Sequence, residues 1–321
     1  MATVVFGARG NVGRHVAAGL QAAGEQVRVT SRNPATAGFP SRMQVAAADL
    51  GDPGTLPAAL AGAENVFLYA KAAGIQGFME AAQSAGVRHV VLLSSAAVVN
   101  ADAERNPIAR QHRAVERAIE QSGIDWTFIR PGMFATNTRW WWAESIRRAN
   151  AVRIPYPDAQ TAPVHEKDIA ALTVTALTEQ GHSHQAYTVY GPQSLTLRHQ
   201  VTHIGEAIGR EISLAVITAR QAREELAASM SPVAADAVLR AWQAGNGSPA
   251  PTSVIVGKIT GHPARTFTRW AADHADDFRS QFGGASLASG ALKSAVPGQP
   301  DDGTAQPLQP AAGEQGGTAL V

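Results

Sequence analysis

The sequence contains no cysteine among its 321 residues. That absence excludes disulfide frameworks, thiolate zinc sites, Cys-x-x-Cys redox pairs and cysteine nucleophiles. Lysine is also scarce, because arginine carries most of the basic charge. The lysines are Lys71, Lys167, Lys258 and Lys293. Any catalytic scheme that depends on lysine therefore has few candidates.

An excess of charge of one sign and long apolar runs are missing as well. The formal net charge is +1 at pH 7, which provides no strongly charged surface for nucleic acid or for a membrane. No apolar run approaches the ~18 residues that a membrane span requires. The N-terminus enters an apolar run at Thr3 without the basic segment that begins a signal peptide. We therefore expect a cytoplasmic protein, monomeric or homodimeric, with no direct contact to nucleic acid or membrane.

One histidine pattern resembles a metal site. His199 and His203 lie four residues apart on a predicted helix, and Glu206 follows them. Val201 and Ile204 define the buried face of that helix, and both histidines fall opposite that face. The pattern therefore predicts a solvated surface, and we expect no metal.

What the sequence does contain is a regular alternation of short apolar runs and amphipathic segments. Runs rich in Val, Phe and Leu are typical of strands that are buried on both faces of a parallel sheet. The predicted strands are Thr3–Phe6, Gln26–Thr30, Met43–Ala46, Asn65–Tyr69, His89–Ser94, Asp125–Arg130 and Ala186–Tyr190. Helices are predicted between the early strands at about 11–23, 55–61, 74–85 and 107–122. This alternation predicts an α/β fold with a doubly wound, mostly parallel sheet of the Rossmann type.

The pattern changes after residue 131 and predicts a smaller, mostly helical C-terminal part. A proline-containing loop is predicted over 153–158. The predicted helices of this part are near 137–149, 166–179, 195–208, 218–229, 231–244 and 265–281.

The same pattern gives a division into domains. We assign residues 1–133, joined again by about 160–192, to the sheet domain, and residues 134–283 to a second part interleaved with it. Residues 284–321 contain no aromatic residue and no periodicity. Such a composition buries too little surface to offset chain entropy, so we predict a disordered tail.

A glycine-rich turn follows the first predicted strand. Its residues are Gly7, Ala8, Arg9, Gly10, Asn11, Val12 and Gly13, with the spacing G-x-x-G-x-x-G. We expect Gly7 to make the tight turn, Gly10 to let the backbone approach a pyrophosphate, and Gly13 to permit close helix–strand packing. The pyrophosphate would rest on the N-terminus of the following helix. The turn therefore predicts a dinucleotide site.

The end of the second predicted strand distinguishes NAD from NADP. NAD sites usually carry an Asp or Glu about 20 residues past the glycines, which accepts a hydrogen bond from the ribose 2′-hydroxyl. This strand runs into Ser31 and Arg32 without an acid. Arg32, aided by Ser31 and Arg9, suits the 2′-phosphate of NADP(H). The alternative is a solvated loop arginine.

The order and spacing of these motifs resemble the NmrA-like branch of the atypical short-chain dehydrogenase/reductase superfamily. The matching residues, spread over 2–281, are Gly7–Gly13, Arg32, Asp49-Leu50, Ser94-Ser95, Glu116, Ser122-Gly123, Trp126–Gly132, Phe134, Asn137, Pro163-Val164 and Asp168–Ala170. The resemblance implies a Rossmann sheet of six or seven strands, a small C-terminal substrate part, and NADP(H) in the cleft between them. Members of the family include NADPH-dependent quinone reductases, triphenylmethane dye reductases and cofactor-sensing regulators without turnover.

Further cofactor contacts are expected at the carboxyl ends of the later strands. Their residues are Asp49, Leu50, Tyr69, Ser95, Glu116 and Pro131. Asp49 positions the adenine or merely caps the next helix. Glu116 bonds the cofactor ribose or orients His112, with a capping or surface role as the alternative.

The chain lacks the Tyr-x-x-x-Lys pair that typical members of the superfamily use for proton transfer. The residues four positions after its tyrosines are Ala73, Gln160, Gly191 and Ser194. Hydride must therefore go to an acceptor that needs little help from an acid. His112 is the best candidate proton donor, because imidazole titrates near neutrality, and Ser94 and Lys71 are further catalytic candidates. The alternatives are a packing histidine, a turn-making serine, and a lysine that steadies a phosphate or is simply solvated.

A pocket for a small aromatic or quinone-like substrate is predicted after the sixth strand. Its residues are Met133, Phe134, Asn137, Trp140, Trp141 and Tyr156. Adjacent tryptophans on one helix cannot all face the same way. We therefore expect one or two to line the pocket, while the others pack or meet a partner.

Two functions from different classes fit these observations. The first is an NADPH-dependent reductase that transfers hydride to a quinone or a similar flat conjugated electrophile. The second is a non-catalytic NADP(H)-sensing regulatory protein that binds a protein partner, which the missing Tyr–Lys pair favours. We favour the enzyme, because the residues of the cleft suit a flat aromatic ligand.

Overall fold

The computed structural model describes residues 2–228 and 230–279, so the predicted tail over 284–321 lies outside the described residues. The strands, in chain order, are β1 (Ala2–Val5), β2 (Gln26–Ser31), β3 (Gln44–Ala47), β4 (Ala63–Tyr69), β5 (His89–Leu93), β6 (Asp125–Pro131), β7 (Ala151–Ile154), β8 (Gln160–Thr161), β9 (Gln185–Val189), β10 (Leu195–Thr196) and β11 (Ser213–Val216). The helices are α1 (Gly13–Ala22), α2 (Leu56–Leu60), α3 (Ile75–Ala85), α4 (Pro107–Glu120), α5 (Asn137–Ala149), α6 (Glu166–Thr178), α7 (Leu197–Ile208), α8 (Ala219–Ala227), α9 (Pro232–Gly245), α10 (Ile255–Thr260), α11 (Phe267–Asp273) and α12 (Ala275–Phe278). Within this described part, no helix has the length and apolar character needed to span a membrane.

A seven-stranded sheet in the order β3-β2-β1-β4-β5-β6-β9 forms the centre of the fold. All of its neighbouring strands are parallel, and Val5 of β1 pairs with Val29 on one side and with Phe67 on the other. The predicted Rossmann-type sheet is therefore confirmed. The chain runs outward from β1 to β3 and then returns to β4, so a crevice opens at the carboxyl ends of β1 and β4.

Helices cover both faces of this sheet, which explains the apolar runs of its inner strands, such as β1 and β5. Val4 and Val5 point to opposite faces, and both are fully buried. Helices α2, α3 and α4 pack on one face, and α1 and α6 on the other. A Cβ on Gly19 of α1 would lie only 2.8 Å from Cγ2 of Val174 in α6, so these two helices pack closely.

The C-terminal region is mostly helical, as predicted, and has a hydrophobic core of its own. Helices α5, α7, α8, α9, α11 and α12 pack together with β7 around the buried rings of Trp142, Trp242 and Trp270. The helix predicted over 265–281 is divided in two. His274, with φ −115° and ψ 14°, leaves the helical conformation and separates α11 from α12.

Two small sheets in this region were not predicted. β7 pairs in parallel with β11, and β8 pairs antiparallel with β10. The loop predicted over 153–158 is therefore wrong at its start, because Arg153 and Ile154 belong to β7. A strand of four residues is too short to show alternation, and its partner lies far along the chain.

Candidate functional site

The glycine turn joins β1 to α1. Gly7 has a φ of 70°, in the left-handed region that favours glycine. Gly10 donates its N–H to the carbonyl of Gly7 at 2.8 Å. A Cβ on Gly13 would collide with the carbonyl oxygen of Gly7. The third glycine therefore lets α1 pack against the backbone of the turn itself, whereas the sequence suggested contact with the strand.

The N-terminus of α1 presents the positive end of its helix dipole to an anion. Its N-cap residue, Val12, makes no side-chain cap, and the first turn holds no acidic residue. The N–H groups of Arg14 and His15 already donate to the carbonyls of Gly10 and Val12, so the helix dipole is what favours a phosphate at this end. Asn11 is half-buried beside this helix start, and Arg9 is exposed on the turn. The cradle from Gly7 to Gly13 therefore fits the pyrophosphate of a dinucleotide.

The carboxyl ends of β2 and β4 flank the turn. Arg32 follows β2 and is exposed, while the Ser31 hydroxyl accepts the N–H of Asn33 at 3.2 Å. On the other side, the ring of Tyr69 lies against Gly7, where an added Cβ would be 3.0 Å from Cδ1 of Tyr69. Burial raises the pKa of the Tyr69 phenol, so it stays neutral at pH 7. Arg32 and Tyr69 thus lie on either side of the place predicted for the adenosine half of the cofactor.

Asp49 and Lys71 form an ion pair at this end of the site. The Nζ of Lys71 is 3.1 Å from Oδ1 of Asp49, and the same oxygen accepts the N–H of Gly51 at 2.8 Å. The bond from Gly51 and the ammonium of Lys71 hold the pKa of Asp49 below its usual range. Leu50 is buried, and its carbonyl packs against Gly74. The structure therefore places Lys71, predicted as catalytic, beside the residues predicted to position adenine.

A buried carboxylate joins the ends of β5 and β6. Glu116 of α4 has no exposed surface. Its two oxygens accept hydrogen bonds from Ser94 at 2.7 Å, from Arg130 at 2.8 and 2.9 Å, and from Arg113 at 3.1 Å. Glu116 and Ser94 thus belong to an internal network, and their roles at the cofactor and in catalysis stay predictions. Sequence spacing brought Glu116 near His112 but gave no sign of Arg130 as its partner.

The other two candidates at this edge are also engaged by the backbone. Ser95 is buried and accepts the N–H of Ala97 at 3.1 Å, where it begins a 3₁₀ turn over Ala96–Val99. The Nδ1 of His112 lies 2.9 Å from the carbonyl oxygen of Ile108. Because a carbonyl only accepts, Nδ1 carries the hydrogen and the neutral ring leaves Nε2 as an acceptor. Burial lowers the pKa of His112, and the bond to Ile108 offsets only part of this effect, so the ring is a weak proton donor at neutral pH.

The predicted pocket residues next to β6 are mostly covered. Phe134 is only 3% exposed and packs in the same cluster as Ala8 and Val12 of the glycine turn. Pro131 and Asn137 are buried, and Met133 is half-buried. Phe134 is therefore a core residue that supports the turn, and Met133 retains exposed surface.

The tryptophans of α5 divide as their helical spacing requires. Trp142 is buried in the C-terminal core, and the ring of Trp141 meets that of Trp242 edge-on at 5.0 Å. Trp140 is 40% exposed. Tyr156 packs half-buried against the same core. Trp140 and Tyr156 thus retain exposed aromatic surface, whereas Trp141 and Trp142 mainly pack.

A second buried carboxylate, at the start of α6, was not predicted from the sequence. Glu166 has no exposed surface and accepts from Nε1 of Trp270 at 3.0 Å and from Nε2 of His274 at 2.6 Å. Burial raises the pKa of Glu166, but its bonds to His165 and His274 outweigh burial and hold the pKa below its usual range. Trp270 and His274 follow Glu166 by 104 and 108 residues in the chain, so no local sequence pattern predicts these contacts.

Comparisons with known proteins agree with this geometry. The model of a family described as NAD(P)H-binding matches residues 7–180. The chain is 39% identical over 280 residues to the (4-alkanoyl-5-oxo-2,5-dihydrofuran-3-yl)methyl phosphate reductase of Streptomyces griseus. The alignment covers 86% of this chain and 98% of that relative. It is 33% identical over 289 residues to the NAD(P)H azoreductase of Xenophilus azovorans, with the same coverage of both chains.

A solved structure supports the fold. The NADPH-dependent quinone oxidoreductase of Escherichia coli, complexed with NADPH, aligns with a TM-score of 0.71 at 23% identity, over 85% of this chain and 99% of that one. The shared architecture is a central sheet with flanking helices. The chain therefore belongs to the NAD(P)H-binding family and is an oxidoreductase.

Proposed function

We propose that this protein is an NADPH-dependent reductase that transfers hydride to a quinone or a similar flat conjugated electrophile without a Tyr–Lys pair. The observation that carries the proposal is that the polar groups at the ends of β5 and β6 are hydrogen-bonded to other groups of the protein. Ser94 donates to Glu116, which also binds Arg130, and Ser95 accepts from Ala97. Since these groups are engaged, the acceptor itself must delocalise the charge that it gains.

NADPH supplies the hydride when it is bound. The residues proposed to hold it share one edge of the sheet, at the carboxyl ends of the strands. They are Gly7, Arg9, Gly10, Asn11, Val12 and Gly13 for the pyrophosphate, Ser31 and Arg32 for the 2′-phosphate, Asp49, Leu50 and Tyr69 for the adenosine, and Ser95 and Pro131 towards the nicotinamide. Residues 1–133 and about 160–192 form the cofactor part in this proposal, and residues 134–283 form the substrate part.

His112 acts as a positioning group in this proposal. Its neutral ring presents Nε2 as a hydrogen-bond acceptor, because Nδ1 is bonded to the carbonyl of Ile108. The ring therefore orients a donor on the substrate or a bound water molecule. The reduced acceptor takes its proton from water, which is fast when the charge rests on oxygen or nitrogen.

The relatives are named for acceptors with a common electronic property. A 4-alkanoyl-5-oxo-2,5-dihydrofuran carries a C=C bond conjugated to two carbonyl groups, and an azo compound carries an N=N bond between π systems. A quinone carries two conjugated carbonyl groups. Hydride addition to any of them places the negative charge on oxygen or nitrogen. This shared property, together with the exposed surfaces of Met133, Trp140 and Tyr156, supports the same class of acceptor here.

The test is oxidation of NADPH by the purified protein with a panel of acceptors. We expect turnover with a quinone, an acylated unsaturated lactone or an azo dye, and none with a simple saturated aldehyde. Equal turnover with the aldehyde would contradict the proposed acceptor class. Tight NADPH binding without turnover on any acceptor would instead favour a cofactor-sensing protein.

The cofactor preference is tested in the same assay with NADH and with Arg32→Ala. Losing a charged hydrogen bond to phosphate costs about 1.5–3 kcal/mol, so the preference for NADPH over NADH should fall by roughly tenfold or more. Arg220→Ala, which removes an exposed arginine from α8, is the matched control and should keep the preference. An unchanged preference in Arg32→Ala would remove Arg32 from the 2′-phosphate site.

A further inference from the structure

The Asp49–Lys71 ion pair joins loops that leave distant strands of the sheet. β3, which precedes Asp49, and β4, which precedes Lys71, are separated by β2 and β1. Three strand spacings amount to roughly 14 Å, yet the two side chains meet at 3.1 Å. The backbones of the two loops also pack together, since Gly74 lies against the carbonyl of Leu50. The pair therefore lies over the edge where β1 and β2 end.

Arg32 leaves the sheet beside Asp49. Ser31 pairs with Ala47 at the ends of β2 and β3, so Arg32 and Asp49 follow directly from neighbouring strand ends. The charge of Arg32 also helps to lower the pKa of Asp49, as a smaller effect than the contacts of Gly51 and Lys71. An ionised carboxylate thus stands close to the arginine proposed for the 2′-phosphate.

A carboxylate at this end of the site opposes a 2′-phosphate. NAD sites use an acid near the ribose, and a phosphate that carries up to two negative charges is repelled by it. Asp49 nevertheless has a structural task, because its Oδ1 accepts the N–H of Gly51 and shapes the turn before α2. The negative charge is therefore retained, and a neighbouring cation is needed to balance it.

We propose that Lys71 determines the preference for NADPH by neutralising Asp49, which leaves the charge of Arg32 available to the 2′-phosphate. Lys71 is then a specificity residue of the cofactor site and takes no part in proton transfer. This inference rests on the proposed 2′-phosphate site at Arg32.

Binding of cofactor fragments tests the proposal without catalysis. Adenosine 2′,5′-bisphosphate and adenosine 5′-monophosphate differ only in the 2′-phosphate, and calorimetry gives the ratio of their affinities. Lys71→Met should reduce the preference for the bisphosphate by about tenfold at low salt, and less as potassium chloride screens the charges. Lys258→Met, which removes an exposed lysine from α10, is the matched control and should keep the preference.

The double variant Lys71→Met/Asp49→Asn separates charge neutralisation from direct contact. If Lys71 acts by balancing Asp49, removing both charges should restore the preference to within about threefold of the wild type. If the double variant prefers the bisphosphate no more than Lys71→Met does, Lys71 binds the phosphate itself, and the proposal is overturned. Lys71→Arg keeps the charge and should keep the preference, which guards against a folding defect in the methionine variant.

Two further outcomes separate a failure of this proposal from a failure of the proposed 2′-phosphate site. An equal loss of affinity for both nucleotides in Lys71→Met would indicate a merely structural role for the ion pair, and would also overturn the proposal. A wild-type protein that binds both nucleotides equally would instead refute the 2′-phosphate site, and with it the NADPH preference in the proposed function.

Discussion

Replacing Glu116 with alanine should lower the free energy of unfolding by about 3–5 kcal/mol. Glu116 has no exposed surface, and its removal leaves the Arg130 guanidinium, only 15% exposed, without its bidentate partner. The buried Ser94 hydroxyl would also lose the acceptor at 2.7 Å. Removing one partner of a buried ion pair has a cost of this size because the remaining charge stays desolvated. Glu116→Gln keeps the shape without the charge, so about 2–3 kcal/mol is expected there.

Urea unfolding followed by circular dichroism measures these differences. In thermal unfolding, each kcal/mol corresponds to a shift of about 2–4 °C for a domain near this size, so the melting temperature of Glu116→Ala should fall by roughly 10 °C. Glu120→Ala is the matched control, because Glu120 lies on the same helix, binds Arg113 and is 29% exposed. Its loss should cost less than about 1 kcal/mol. A Glu116→Ala variant as stable as Glu120→Ala would refute the reasoning.

Two other variants test a buried histidine of the C-terminal region and the glycine turn of the cofactor site. His274→Gln should cost about 2 kcal/mol at about pH 6 and less at about pH 9, measured by urea unfolding. Burial lowers the pKa of His274, but its bonds to Glu166 and Asp277 outweigh burial and raise the pKa above 6.5. The stability that protonated His274 contributes is therefore fully present below its pKa in the unfolded chain. That contribution is lost as pH rises through its pKa in the folded protein. An equal loss at both pH values would contradict this assignment. Gly13→Ala should abolish NADPH binding in a fluorescence titration, since its Cβ collides with Gly7, whereas Gly257→Ala, with its nearest neighbour at 3.6 Å, should bind normally.

The sheet and the glycine turn were predictable because their determinants are local. Apolar runs mark the inner strands β1, β4, β5 and β6, most of whose residues are buried, and these runs need no knowledge of distant partners. Gly7, Gly10 and Gly13 follow a strand and open a helix, which gives the spacing its meaning. The small strands β7 and β11 lack such signals, because each has four residues and their pairing depends on the packed helices around them.

The partners of charged residues were not predictable in this way. Because Lys71 follows β4, it was predicted either to steady an oxyanion or a phosphate or to be solvated. The loop after β3 brings Asp49 to it across two intervening strands. Glu116 was expected at the cofactor ribose, yet Arg130 and Ser94 enclose it from the ends of two strands. Spacing along one helix identifies the face of a side chain, whereas its partner depends on how the elements pack.

Among the described residues, the two fully buried glutamates join different parts of the fold. Glu116 fixes α4 to the ends of β5 and β6, and Glu166 fixes the start of α6 to Trp270 and His274 of the C-terminal region. A buried carboxylate with several donors favours a single arrangement, because any displacement leaves a charge unpaired. The aromatic side chains proposed to meet the substrate, such as Trp140, instead stand partly exposed on a separate hydrophobic core. Acceptor specificity can therefore diverge through such side chains while the polar networks keep the shape of the cofactor site.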